Sequence, residues 1–353
     1  MKIIPDRPKV KTWYKKSLDG CVSSDGSQYN ISLRKGIVNK LLVNFVGGGL
    51  SWNQETATNP ISVYNLIRNK ESFYIPSLSP LQMNLMHVGI LSAKDKRNPF
   101  YDWNVLNIPY TTADFHIGCN KFNYQNAKGE NKVLHHNGAK NVETALTALK
   151  YYFNEPPNVL VITGQSAGAF GCVAHCSKIK NVYPNCNNII VYSEGSHLHS
   201  SIWQDIIKYT WKANSDLTEY IKSNDLIVDL FHYAQDNMPT HTLFLHSNSV
   251  WDIMLVKYMH KMNYGKMIVN SQALKEFNET LINAVKKLKS EITNYSYYLT
   301  DYGKSMKNGT TPHIFAGTPK LFYGNMQDGF SIANWLCKAI EKAPIDIGKE
   351  FVH

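Results

Sequence analysis

Residues 159–168 read Val-Leu-Val-Ile-Thr-Gly-Gln-Ser-Ala-Gly, and this segment carries the strongest local signal of the fold. Its first half is a β-branched apolar run, which predicts a buried strand. Small residues and then residues 172–176 follow, and they predict a helix. A strand, a Gly-x-Ser-x-Gly turn and a helix together form a nucleophile elbow, which lifts the serine hydroxyl above a sheet. We therefore predict that Ser166 is a nucleophile, against the alternative of a glycine-rich turn with an idle serine.

On either side of this turn, segments with the apolar pattern of a strand alternate with segments that have the apolar pattern of a helix. Residues 53–95 look irregular, and residues 197–239 contain short helical runs that we expect to form a small lid or insertion. Because strands alternate with helices, the sequence predicts an α/β fold of the α/β-hydrolase type, with a mostly parallel central sheet flanked by helices. No repeat or linker interrupts the chain, so we expect a single domain over residues 1–353. Strands are predicted at 28–33 (as an edge strand), 40–46, 105–108, 188–193 and 240–246, and helices at 138–153, 272–293 and 328–342.

Composition narrows the classes of protein. The chain has 353 residues, of which 43% are hydrophobic, which is enough for a large core. No stretch reaches the roughly 18 apolar residues of a membrane span, and the N-terminal residues have no long apolar segment, so we expect neither a membrane helix nor a signal peptide in this chain. The net charge of +10 is compatible with an acidic polymer as partner, and no basic block with interleaved aromatic residues predicts nucleic-acid binding. Compartment and oligomeric state stay open.

Metal and cofactor sites are not predicted. Cys172, Cys176 and Cys186 lie close together in the sequence, but their spacing matches no common zinc site, so free thiols or one disulfide are favoured. The run Gly47-Gly48-Gly49 follows a predicted strand, yet it lacks the Gly-Lys-Ser/Thr ending of a phosphate loop.

Polar or glycine residues follow several predicted strands, where ligands bind in a parallel sheet. The glycine run offers free N–H groups suited to an oxyanion hole. Asp114 and His116 follow the strand at 105–108, with the alternative that Asp114 caps a turn and His116 is merely exposed. Four residues are candidates for contacting substrate: Trp52, Asp114, His116 and Glu194.

A serine nucleophile needs an imidazole base, and the base needs a carboxylate that holds its tautomer. In α/β-hydrolases the three residues come in the order Ser, acid, His. Ser166, Asp252 and His313 satisfy this order, since Asp252 follows a predicted strand and His313 lies in a Gly/Thr/Pro loop. The competing acids are Asp225, Asp229, Asp236 and Asp301, and the competing bases are His241 and His246, which we expect to be structural.

Several motifs together resemble the pectin acetylesterase/Notum family of carboxylesterases, and they extend over most of the chain. They are the glycine run, Asn-Pro-Phe-Tyr-Asp-Trp-Asn at 98–104, Ile-Pro-Tyr-Thr-Thr-Ala-Asp-Phe-His-Ile-Gly at 108–118, Gly-Gln-Ser-Ala-Gly at 164–168, His175-Cys176 with Tyr183-Pro184, Pro312-His313, Asp328-Gly329-Phe330 and Asn334-Trp335-Leu336.

The resemblance implies that Ser166 is the nucleophile, Asp252 the acid and His313 the base, with an oxyanion hole from the N–H groups of Gly48, Gly49 and Ala167. It implies a serine carboxylesterase without cofactor that removes acyl groups, acetyl above all, from a polysaccharide such as pectin. Alternatives are a Notum-like deacylase of longer acyl esters, a catalytically inactive glycan- or lipid-binding relative, and a peptidase or lipase. Family members are often secreted, but family cysteines are replaced near Ser51 and at Thr111, so several family disulfides are not expected.

Overall fold

The computed structural model describes residues 1–324 and 326–352. Its centre is a nine-stranded sheet with the spatial order β1-β2-β3-β5-β4-β8-β9-β10-β11, and β6 and β7 form a separate hairpin. The strands are β1 Lys2–Ile3, β2 Trp13–Val22, β3 Gln28–Arg34, β4 Val38–Phe45, β5 Trp103–Ile108, β6 Asn120–Gln125, β7 Asn131–His136, β8 Leu160–Gln165, β9 Ile189–Glu194, β10 Leu243–Ser249 and β11 Tyr295–Thr300.

The helices connect these strands and cover the sheet. They are α1 Gln54–Thr58, α2 Val63–Ile67, α3 Pro80–Leu85, α4 Gly138–Tyr152, α5 Ala167–Val182, α6 Trp203–Asp205, α7 Ser215–Thr218, α8 Leu226–Asn237, α9 Ile253–Tyr264, α10 Ser271–Glu291, α11 Pro319–Phe322 and α12 Ile332–Ile340, with a π-helix at Ile206–Thr210 and 3₁₀ turns at Gly89–Leu91 and Lys349–Phe351.

Six neighbouring strands are mutually parallel, in the spatial order β5, β4, β8, β9, β10 and β11. Strand β3 pairs antiparallel with both β2 and β5. The predicted α/β-hydrolase-like class, a mostly parallel sheet with flanking helices, is therefore confirmed. The prediction of an edge strand at 28–33 is wrong, because β2 covers its outer side. The carboxyl ends of β4, β8, β9 and β10 lie along one border of the sheet, where parallel strands of an open α/β sheet present their ligand-binding loops.

Two apolar layers enclose the sheet, because successive side chains of a strand point to opposite faces. Leu41 and Val43 of β4 pack into one layer together with helices α4, α5, α8 and α10. Leu42 of the same strand packs into the other layer, with Trp335 of α12. Burial on both faces explains why the central strands read as continuous apolar runs rather than alternating ones.

The segment predicted as a lid, residues 197–239, contains α6, the π-helix, α7 and α8. Residues of α8 such as Leu230 and Phe231 are fully buried, and α8 lies against α5. Leu198 of this segment lines the cavity over Ser166. Its movement as a lid, and the single-domain assignment, stay predictions.

All six cysteines are free thiols, which is one of the two states expected for Cys172, Cys176 and Cys186. Among the described residues, no helix combines the length and the apolar character that a membrane crossing requires.

Candidate active site

Ser166 lies on the turn between β8 and α5 with φ 55° and ψ −127°, a left-handed conformation that costs a non-glycine residue energy. Its surroundings hold it there. A Cβ on Gly164 would overlap the carbonyl oxygen of Gly168, and a Cβ on Gly168 would overlap that of Phe45. Gly164 is therefore needed where β8 approaches α5, and Gly168 where α5 approaches β4.

The structure brings the three predicted catalytic residues into one hydrogen-bonded chain. Nε2 of His313 lies 2.8 Å from Oγ of Ser166, although the two residues are 147 positions apart. Nδ1 of the same ring lies 2.6 Å from Oδ2 of Asp252. The carboxylate can only accept, so Nδ1 carries the proton and Nε2 is free to accept the serine proton. This is the arrangement that activates a serine hydroxyl.

Asp252 is fully buried and is fixed by its own helix. Its Oδ1 accepts hydrogen bonds from the N–H groups of Met254 and Leu255, at 2.8 and 2.9 Å, so it caps α9. A backbone bridge joins it to the loop of His313, since Ile253 donates to the carbonyl of Thr311 and Thr311 donates to that of Trp251. Asp252 and His313 are thus coupled through backbone as well as through side chains.

The pKa of His313 reflects opposing effects. Burial lowers it, but the charge of Asp252, the hydrogen bond to that carboxylate and the charge of Glu194 together outweigh burial and leave the pKa above its usual 6.5. Both carboxylates therefore stabilise the imidazolium that would form when Ser166 loses its proton.

The glycine run lies beside Ser166. Gly49 has φ 80°, and a Cβ there would overlap the carbonyl oxygen of Phe73, so this position requires glycine. Leu50 donates to Phe73 and Ile75 donates to Gly48, which fixes the run against residues 73–75. Within residues 1–324 and 326–352, no acceptor binds the N–H groups of Gly48 or Gly49.

A cavity of about 410 Å³ opens over the serine. Ser166, His313 and the glycine run form one part of its wall, and apolar side chains form most of the rest. Phe115 and Phe170, whose rings stack 4.1 Å apart, are among them. The remaining apolar lining residues are Val46, Leu50, Ile61, Leu85, Met86, Val88, Ile90, Leu91, Ala167, Leu198, Met254, Leu255, Tyr258 and Ile314.

Asp114 and His116 do not line this cavity; they support the loops that form it. Asp114 is fully buried and accepts hydrogen bonds from the N–H groups of His116 and Gly138, at 3.0 and 2.8 Å. Burial raises its pKa to about 7. Nε2 of His116 lies 3.0 Å from the carbonyl oxygen of Val46, just before the glycine run. His116 is buried, which excludes the alternative of an exposed histidine.

Trp52 and Glu194 are also absent from the described cavity lining. Trp52 is buried against Phe73, with their rings edge to face at 5.6 Å. Glu194 is fully buried at the end of β9 and binds the backbone of residues 315 and 316. The contacts of all four candidates for substrate contact are therefore with the protein itself.

The competing acids and bases lie elsewhere. His246 is buried and bonded to Tyr295 and Asn248, which agrees with the structural role expected for it. His241 is exposed. Asp225 lies 3.3 Å from His197, and Asp229 accepts from the backbone of Lys222 and Ser223.

Other residues at the cavity had no sequence signal of their own. Asn44 and Gln165 form a polar part of the wall, joined by a 3.0 Å hydrogen bond. Met254 and Tyr258 come from α9, which was not predicted, and residues 85–91 come from the segment read as irregular. Only the direct succession of α9 to Asp252 could have drawn attention to this helix.

Comparison with known proteins adds three findings. A family model described as pectinacetylesterase matches residues 9–314. Two pectin acetylesterases of Arabidopsis thaliana, numbers 11 and 7, are 25% and 24% identical over 189 residues; the match covers half of this chain and 43% of each relative. Two crystal forms of the Wnt deacylase Notum from Drosophila share the fold, with TM-scores of 0.62 and 0.63. Their sequences are 14% and 15% identical to this chain, and the match covers 94% of this chain and 94% and 95% of the Notum chains.

Proposed function

This chain belongs to the pectinacetylesterase family, and we propose that it is a serine carboxylesterase that removes O-acyl groups from a polysaccharide such as pectin. The observation that carries the proposal is the hydrogen-bonded chain from Ser166 through His313 to Asp252 in the wall of a cavity. Family membership supports an ester substrate, and the names of the two plant relatives support acetylated pectin.

The proposed reaction has two halves. In the first, Oγ of Ser166 attacks the ester carbonyl while Nε2 of His313 takes the serine proton. The imidazolium then returns that proton to the leaving alcohol oxygen of the sugar, and the acyl group stays on Ser166. In the second, water attacks the acyl-enzyme, with His313 again as base, and the acid and free serine are released. Asp252 stays ionised throughout and orients the ring.

In both halves of the reaction, negative charge develops on the carbonyl oxygen and must be stabilised. We assign this to the N–H groups of Gly48, Gly49 and Ala167. The first two have no acceptor among the described residues, and Ala167 is the first residue of α5, where N–H groups are free of intrahelical partners. Removing one such donor costs about 100-fold to 1000-fold in comparable enzymes.

The cavity favours a second candidate for the acyl group. A volume of about 410 Å³ with a mostly apolar wall far exceeds the single methyl group of an acetyl ester. This volume falls within the range of roughly 300–1,000 Å³ that is typical of small-molecule binding sites. This observation supports a deacylase that accepts longer acyl esters, with acetyl as the smallest substrate.

The test uses a fluorophosphonate probe, with Ser166→Ala and the neighbouring Ser193→Ala as matched variants. We expect labelling of the wild type and of Ser193→Ala, and none of Ser166→Ala. Acetate release from acetylated pectin, and rates on p-nitrophenyl esters from acetate to decanoate, then define the acyl group. An unlabelled wild type without esterase activity would favour the inactive binding protein, and turnover of a peptide amide at the rate of esters would favour a peptidase.

A further inference from the structure

Glu194 is bonded to the turn of Ser166 and to the loop that carries His313, and it does not line the cavity. Its main-chain carbonyl accepts a hydrogen bond of 2.8 Å from the N–H of Ser166. Its carboxylate accepts from Phe315 at 3.0 Å and from Ala316 at 3.1 Å, both through Oε1, and Oε2 lies 3.2 Å from the same N–H of Ala316. These two residues follow His313 by two and three positions. One residue therefore connects the nucleophile's turn to the loop that carries the base.

The residue after it packs directly on the base. Gly195 has φ 64°, and a Cβ there would lie 3.3 Å from Cε1 and 3.5 Å from Nδ1 of His313. The end of β9 is thus the surface on which the imidazole rests. Its position is fixed in turn by the N–H of Gly195, which donates to the carbonyl of Ser247 on β10.

Electrostatic interactions join the same residues. His313 and Tyr192 act on the pKa of Glu194, and Asp252 and Glu194 act on the pKa of His313. Burial raises the pKa of Glu194 to about 7, and the N–H groups of Phe315 and Ala316 oppose this shift. In its ionised form, a buried carboxylate near an imidazole in a region of low dielectric favours the protonated ring.

We propose that Glu194 is a positioning residue of the reaction: its carboxylate holds the loop of His313 at bonding distance from Ser166 and stabilises the imidazolium. The inference rests on the proposed serine mechanism. A carboxylate suits this role because hydrogen bonds from N–H groups to an ionised acceptor are stronger than those to a neutral one. A glutamine in its place can still accept from Phe315 and Ala316 but carries no charge, which separates positioning from electrostatics.

The experiment compares Glu194→Gln and Glu194→Ala with Asp229→Asn. Asp229 is the matched control because it is also buried and also accepts from two successive N–H groups, those of Lys222 and Ser223, both at 2.8 Å. The readouts are kcat and KM for p-nitrophenyl acetate, the pH profile of kcat/KM from 5 to 9, and Tm.

For Glu194→Gln we expect a folded enzyme whose kcat falls about tenfold, the effect of one pKa unit on the base, with the acid limb of the profile moved to lower pH. For Glu194→Ala we expect a loss of about 100-fold, as for a catalytic group displaced by ~1 Å, with little change in KM. Asp229→Asn lowers Tm but leaves the profile in place.

A Glu194→Gln profile that superimposes on the wild type, or an equal shift in Asp229→Asn, would overturn the inference. Fluorophosphonate labelling of the wild type separates the two proposals. If the wild type is labelled and Glu194→Gln behaves like it, only the role of Glu194 fails, whereas an unlabelled and inactive wild type removes the serine mechanism itself.

Discussion

Replacing Asp252 by asparagine tests the proposed triad of Ser166, His313 and Asp252 most directly, because the two oxygens of this carboxylate bind different groups. Oδ1 caps α9 through Met254 and Leu255, and Oδ2 accepts the Nδ1 proton of His313. In Asp252→Asn the amide oxygen can keep the cap, and the amide NH₂ then faces Nδ1. An NH₂ group can only donate, so the ring must place its proton on Nε2.

The consequence at Ser166 follows from the geometry. A protonated Nε2, 2.8 Å from Oγ, can no longer accept the serine proton. A substitution of this kind in a serine protease lowers kcat about 10⁴-fold, which corresponds to about 5 kcal/mol of lost transition-state stabilisation. We expect a loss of 10³- to 10⁴-fold here. Because the cap is retained, we expect a change in the free energy of unfolding well below the ~1 kcal/mol of a lost cap.

The assay is the steady-state rate on p-nitrophenyl acetate, read together with thermal unfolding. Asp252→Ala should lose the activity and also the cap. Asn270→Ala is the matched control, since Asn270 caps α10 through Ala273 at 2.8 Å and lies outside the described cavity lining. It should lose stability alone. An Asp252→Asn enzyme that retains more than about a tenth of the wild-type kcat would refute the assignment of Asp252 as the acid.

Because the pKa of His313 is raised above 6.5 and the ring must be neutral to accept a proton, kcat/KM should fall as the pH drops through that raised value; an acid limb centred well below 6.5 would contradict this. Leu198→Phe adds volume to the cavity wall, so kcat/KM for p-nitrophenyl octanoate should fall about tenfold or more relative to p-nitrophenyl acetate. An equal effect on both esters would mean that the acyl chain lies elsewhere. Gly49→Ala places a Cβ on the carbonyl of Phe73 at a left-handed position, so we expect a lower Tm and at least a 100-fold loss of kcat, and near-normal activity would remove Gly49 from the oxyanion hole.

The parts of the fold that could be predicted are those with a local signal. Strands β4, β5, β8 and β9 are buried on both faces, so they read as apolar runs, and α4 and α10 show one apolar stripe. The conformation of Ser166 was equally legible, because only small neighbours allow the turn between β8 and α5.

The elements that were missed lack such a signal. Strand β2 is charged and half exposed, with Lys15, Lys16 and Asp19 along it, and so it resembles a loop. Strand β11 is fully buried but contains three tyrosines and a serine. The hydroxyls of Tyr298 and Ser296 donate to Phe330 and Asp346, which come from later in the chain. A buried polar residue is stable only with such a partner, and the partner is not visible in a local window.

The candidate site divides in the same way. The order of nucleophile, acid and base, the strand before Asp252 and the loop around His313 predicted Ser166, Asp252 and His313 over several competing residues, and hydrogen bonds join these three in the structure. The contacts of Asp114 and Glu194 could not be predicted in this way. A carboxylate after a strand can face either substrate or the backbone of another loop, and only the position of that other loop distinguishes the two.

The elbow, the glycine run and the type of sheet could be predicted from local sequence, since each depends on the conformational limits of residues that are neighbours in the chain. The cavity of about 410 Å³ over Ser166 and the binding of the His313 loop by Glu194 arise only when the chain is folded. These features join segments far apart in the sequence, and their contacts are set by the register and order of the strands rather than by any local preference.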